Sequence, residues 1–205
     1  MKPSVLFVSK PIVHPFHDGS ICLVAEIAQN IPHYHAVVMT TAEGTRLVGD
    51  VELDATYAKR GRFAPGLIDN ARVVSRLMLG KRNDLWHFVF APNPKSSKVG
   101  SVAKSIRKVP VVQTVASRPK DFQNAASLLF GDRIVAVSKH TADQLIRSGS
   151  DAKRIDVVPP PIADLTRSLE QRTQARTQLG IDNSAPLFCY PGDLEFSTGA
   201  VTTAR

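Results

Sequence analysis

The sequence predicts an α/β fold, an open parallel sheet with helices on both faces. Three observations predict it. Short continuous apolar runs, of the kind carried by strands buried on both sides, recur along the chain. Between them lie stretches whose apolar residues fall at helical spacing. The two kinds alternate about six times, the rhythm of strands joined by helical crossovers.

The elements follow in order. Val5-Leu6-Phe7-Val8 is the first strand, and a loop with Pro11, Pro15 and Gly19 leads into a helix over 20–31. Residues 36–39 form a second strand. Residues 42–66 mix charges with Gly-Pro punctuation and read as a long loop or excursion. A helix over 67–80 and an aromatic-rich strand over 85–90 follow. Pro92 and Pro94 open a helix near 95–108, with Val99, Val102, Ala103 and Ile106 as its apolar stripe and five basic residues outside it. Strands over 109–115, 134–137 and 155–158 alternate with a short helix over 121–130 and a helix over 139–148. Pro159-Pro160-Pro161 stops the sixth strand. A polar helix over 164–179 leads to a last strand, 187–190. Residues 1–162 therefore read as one Rossmann-like domain. Residues 163–205 read as a linker helix and the first strand of a second domain, since one strand and a tail cannot bury their own apolar face.

Composition narrows the class. With 43% hydrophobic and 21% charged residues, the chain is neither disordered, collagen-like nor a coiled coil. A domain of this size buries roughly 70% of its unfolded surface without metal or disulfide staples. Cys22 and Cys189 stand far apart and outside any C-x-x-C spacing, which fits a reducing, cytoplasmic compartment. The opening apolar stretch is too short for a signal peptide. The net charge of +8 lies in one segment: residues 51–110 carry twelve basic against four acidic groups. Such a local excess suits an anionic partner or is a solvated face. An anionic leaflet attracts at about 1 kcal/mol per basic residue near its surface, which makes a peripheral position on the inner face of the membrane the expectation. Nucleic acid is not expected, because stacking aromatics and recognition motifs are missing from the segment.

In such sheets ligands sit beyond the carboxyl ends of the strands. The loop after the first strand holds His14, His17, Asp18, Gly19 and Ser20 ahead of a helix N-terminus. Gly19 is either a plain turn or a close approach of backbone to an anion. His17 and Asp18 are the candidate catalytic groups, suited to acid/base work on a sugar hydroxyl. His-x-x-His-Asp also has metal-ligand residue types, but nothing elsewhere completes a site, so no metal is expected. Asn93 and the pair Ser117 and Arg118 occupy later strand-end loops. Ser138 caps the next helix, and Lys139 beside it would strengthen an anion site there. His33 and His35 read as structural, and His87 as a satisfied core histidine. No G-x-G-x-x-G occurs, so no nicotinamide or flavin cofactor is expected.

Asp132-Arg133-Ile134-Val135-Ala136-Val137-Ser138, a helix ending at Gly149, and Lys153-Arg154-Ile155-Asp156-Val157-Val158-Pro159 resemble the retaining glycosyltransferases of the two-domain GT-B class, family 4. Asp84-Leu85-Trp86-His87 and Pro110 to Val115 support the match. The resemblance implies an acceptor-binding N-terminal half, a nucleotide-sugar donor held by a second domain, and hexosyl transfer to a glycan, lipid-linked or small-molecule acceptor in the cleft between. It places Gly19 near the donor diphosphate and makes Gly192, Thr198 and Gly199 the phosphate turn of the second domain. Three departures stand out. Thr114-Val115-Ala116 lacks the family's histidine, Asp193 and Glu195 replace its basic residues, and its downstream acidic pair is absent. The chain alone is therefore expected to be inactive. A nucleotide-sugar 2-epimerase, or a binding domain completed by a second chain, are the alternatives.

Overall fold

The computed structural model describes residues 2–14, 16, 18–43, 46–58, 65–119, 121–161 and 168–188. The chain divides into two compact units, 1–161 and 162–205.

Every predicted apolar run but the last forms a strand, and a further strand joins them. β1 (Ser4–Val8), β2 (His35–Thr41), β3 (Val51–Tyr57), β4 (Leu85–Phe90), β5 (Val111–Val115), β6 (Arg133–Ala136) and β7 (Ile155–Val157) form one sheet. Its order is β3-β2-β1-β4-β5-β6-β7, with every pair parallel. β3 corrects the expectation of a long loop over 42–66. Val51-Glu52-Leu53-Asp54 alternates apolar and charged residues, as suits a strand at a sheet margin with solvent nearby.

The helices are distributed unevenly. α1 (Gly19–Asn30) lays Ile21, Val24, Ala25 and Ala28 over Val5, Phe7, Ala36, Val38 and Val89. On the opposite face Leu77 of α2 (Leu67–Leu79) and Ala103 of α3 (Pro94–Arg107) cover Leu6, Val8, Trp86 and Phe88. α4 (Lys139–Arg147) sits on that same face. Its Leu145 packs with Ile134, which pairs in register with Gln113, two residues from Val111 of the α2–α3 core. The asymmetry follows from handedness. The path from β1 to β2 runs one way across the sheet and every connection from β3 onward runs the other, so right-handed crossovers put α1 alone on its side.

Two further expectations are corrected, the helix over 121–130 and the inward face of α3, and two others fall partly outside the described residues. Residues 121–130 hold only one 3-10 turn, Ala125–Leu128. Leu187 and Phe188 lie outside any strand, and 189–190 lie outside the described residues. Within the second unit, α5 (Leu169–Gln178) starts at the Ser168 cap, while 162–167 are not described. Most consequentially, α3 is turned about its axis. Its buried residues are Ser97, Gly100 and Ala103, and the stripe Val99, Val102 and Ile106 faces water. Small residues win the inward face because the helix lies close to Phe130, whose ring packs edge-on to Phe88 at 4.9 Å. A Cβ on Gly100 would stand 2.3 Å from the Phe130 ring.

Two measurements test this packing. Gly100→Ala adds about 1 kcal/mol of helix propensity but overpacks Phe130 by about 1–3 kcal/mol. The expected result is a lower unfolding midpoint, and a raised one would show that α3 does not press on that ring. The second concerns the β2–β3 margin. His35 donates from Nδ1 to Asp50 at 2.8 Å and from Nε2 to Glu52 at 3.1 Å. The bond to Asp50, then that to Glu52, raises its pKa above the usual 6.5 against a small opposing burial effect. Its stabilisation is complete below that ordinary value and fades as pH rises through the raised one. The gap in midpoint between wild type and His35→Gln should therefore be wide at about pH 5.5 and narrow at about pH 9.

Candidate functional site

Strand order reverses between β1 and β4, so the segments leaving their carboxyl ends run in opposite directions, the position at which such sheets take their ligands. The loop 9–18 leaves β1 at that point, and Asn93 follows β4. Ser117 and Arg118 follow β5, and Ser138 and Lys139 follow β6. The parallel sheet thus brings all these candidates to one edge.

The first loop is pinned at Ser9 and Ile12. Ile12 is fully buried, and its N–H donates to Met39 O at 3.1 Å. Thr40 Oγ1 donates to Ile12 O at 2.6 Å. The Tyr57 hydroxyl donates to Ser9 O. Burial, with Asp69 adding to it, pushes the Tyr57 pKa up, so the phenol keeps its proton and remains a donor. Asp69 is itself buried and accepts from the Ala58 N–H at 2.7 Å. β3, the strand missed in the sequence, therefore supplies one of the pins.

Asp18 caps α1. Its Oδ1 accepts from the Ser20 N–H at 2.8 Å and from the Ser20 hydroxyl at 2.5 Å. Its Oδ2 accepts from Lys10 Nζ at 2.5 Å, an ion pair about one-third exposed. Partial burial acts upward on its pKa, and the Lys10 and Ser20 hydrogen bonds outweigh it, so the carboxyl titrates below the usual range. Asp18 thus carries a fixed charge engaged at both oxygens, a positioning arrangement rather than a poised proton donor. Lys10 was missed in the sequence. Its only signal there is its place at the end of an apolar strand, within one loop of an acid.

Gly19 adopts no left-handed conformation, and a Cβ built on it meets nothing within 4 Å. Neither turn strain nor packing requires glycine there. His14 is exposed and stacks on Phe16, ring centroids 3.9 Å apart. His17 lies outside the described residues, as do Gly192, Thr198 and Gly199. Among the described residues no group of three or more His, Cys, Asp or Glu could hold a metal.

The other strand-end candidates serve structure first. Asn93 caps α3 by accepting from the Ser96 N–H at 3.0 Å. Ser138 caps α4 by accepting from the Thr141 N–H at 3.1 Å. Lys139 pairs one turn along with Asp143 at 2.8 Å. Ser117 is exposed, and the Arg118 guanidinium stands 5.7 Å over the Phe122 ring. His87 contacts Thr114 Oγ1 at 2.7 Å, and burial pulls its pKa down to about 4, so it is neutral at ordinary pH. Thr114 is committed to that contact, in the strand where the family pattern would continue to a histidine.

No family model matches the sequence, and no curated protein does. Solved structures do match. HepE of Anabaena, in complex with UDP-glucose, superposes with a TM-score of 0.56 at 19% identity, over 86% of this chain and 50% of that one. The fold is the same. A glycosyltransferase from Rickettsia africae gives a TM-score of 0.56 at 15% identity, covering 91% of this chain and 52% of its own. A UDP-N-acetylglucosamine 2-epimerase from Rickettsia bellii gives 0.52 at 14% identity, covering 89% and 52%. The chain spans about half the length of these proteins. The expected Rossmann-like α/β architecture is thus what the structure and its neighbours have in common.

One prediction isolates the cap. Asp18→Ala should lower stability by about 1 kcal/mol, and Asp18→Ser should recover roughly half of it, because Ser caps but cannot pair with Lys10. Equal midpoints for the two variants would assign the whole effect to the ion pair.

Proposed function

We propose that this chain is the acceptor-binding half of a retaining glycosyltransferase that moves a hexosyl group from a nucleotide-sugar to a glycan, lipid-linked or small-molecule acceptor. A second domain carries the donor and closes the cleft. The observation that carries the reading is the pinned loop at the strand-order reversal. It ends on a glycine that the fold itself does not require. Fold likeness to sugar-nucleotide enzymes, one of them solved with UDP-glucose, supports it.

The chemistry at this edge follows from the residues. Lys10 neutralises Asp18, so the partial positive charge of the α1 N-terminus stays available to a diphosphate. With no side chain at Gly19, an anion can approach the backbone where α1 begins, next to the Ser20, Ile21 and Cys22 N–H groups that Asp18 already holds. His14, exposed in the same loop and stacked on Phe16, is the candidate contact for a hydroxyl of the acceptor. The donor's leaving group and the downstream acids belong to the second domain, so 1–205 alone would turn over no substrate. The cysteine usage, two thiols far apart and outside any C-x-x-C spacing, supports placing the protein in the cytoplasm.

The epimerase reading has one observation in its favour, the likeness to the Rickettsia bellii enzyme. The two separate on acceptor dependence, since an epimerase consumes UDP-sugar without one. The test uses the full natural protein, screened by thermal shift against UDP-, GDP- and ADP-sugars and then assayed for transfer. Gly19→Val should leave the unfolding free energy within about 0.5 kcal/mol of wild type, since its Cβ meets open space. It should reduce transfer by about tenfold or more, because a displaced diphosphate misaligns the reacting sugar. Undiminished transfer by Gly19→Val would remove α1 from the donor site.

A further inference from the structure

The rotation of α3 leaves a face that the fold does not use. Val99, Val102 and Ile106 are 37%, 50% and 59% exposed along one side of the helix. α2 adds Leu67, Ile68 and Leu79, all more exposed still. The two helices pack side by side on one face of the sheet, tied where Arg107 donates to Met78 O at 2.7 Å and Gly80 O at 3.0 Å. Their water-facing sides therefore point the same way. Isolated exposed apolar residues need no explanation, but Val99, Val102 and Ile106 follow one another along a single helix side, with three more exposed apolar residues on the adjacent helix, which is more than scattered exposure.

Charge decides the occupant. α2 and α3 hold one acidic residue between them, Asp69, and it is buried against Ala58. Arg72, Lys95 and Lys98 are exposed on the same two helices and make no ion pair among the described residues. Apolar residues flanked by long cationic side chains, with no exposed acid, match the boundary between headgroups and acyl chains. There the leucines and valines enter hydrocarbon and the cations reach phosphate. A second copy fits poorly, because a two-fold contact through this face would set Arg72, Lys95 and Lys98 against their own duplicates.

We propose that the outer face of α2 and α3 docks on an anionic lipid bilayer. The helices lie flat on it through Val99, Val102 and Ile106, with Lys95 and Lys98 on lipid phosphate. The inference does not depend on the sugar chemistry. Bulk charge over 51–110 makes attraction only, whereas this face adds insertion, so part of the binding survives high salt.

Flotation of the purified protein with phosphatidylcholine vesicles, with and without phosphatidylglycerol, tests it. Wild type should bind the anionic vesicles several-fold more than the neutral ones and retain part of that binding at high salt. Val102→Ser with Ile106→Ser should weaken binding about tenfold. Lys95→Glu with Lys98→Glu should erase the lipid preference. All four side chains are exposed, so melting midpoints should stay put, and circular dichroism checks that they do. Equal binding to both vesicle types overturns the proposal, as does binding indifferent to the Val102/Ile106 change. A dimer in sedimentation that the same change dissolves, without vesicle binding, overturns it in favour of a second copy. Preference for polyglutamate over vesicles overturns it in favour of an acidic protein.

Discussion

Strand β1 has water on neither side. Leu6 and Phe7 are fully buried, one under α2 and α3 and the other under α1, and β2 and β4 take the strand's two hydrogen-bonding edges. Burying both side-chain rows of one strand is what commits the chain to a layered α/β arrangement. It also fixes where the polypeptide must emerge. The first loop leaves from the middle of the sheet, where neighbouring connections part, and it is held there from β2 and β3. A ligand at that point meets backbone that was ordered before it arrived, which spares it the entropy of organising a loop.

Much of this was legible in the sequence because a strand buried on both faces has a simple signature. Val5 to Val8, Ala36 to Met39 and Ile134 to Ala136 are apolar without interruption, and all three lie in strands. β3 escaped because Glu52 and Asp54 break the run; a margin strand can pair one side in water and needs no continuous apolar stretch. α3 was misread for a different reason. Counting apolar residues favoured Val99, Val102 and Ile106 as the inward side. Distance to the sheet instead selected Gly100 and Ala103, because Phe130 already fills the space a larger side chain would take. Packing volume overrode hydrophobicity there.

The candidate site was legible in position and less so in role. The strand-end rule located Asp18, Gly19, Asn93 and Ser138 from the order of elements alone. Three of those side chains close helix ends, which their residue types foretold for Ser138. What pattern could not show is the set of long-range contacts that lock the loop. Tyr57 reaches Ser9 across 48 positions and Thr40 reaches Ile12 across 28. Such pairs exist only once the sheet has formed.

The two rims of the sheet share a property with a consequence for assembly. At one rim β7 is three residues long, and Pro159, Pro160 and Pro161, which follow it, have no N–H to offer. At the other, β3 carries Glu52 and Asp54 along its length. Neither rim is a template on which a stray extended peptide could lengthen the sheet. The fold thereby resists fibril growth, and recruitment of other molecules is left to its helical surfaces and its loops.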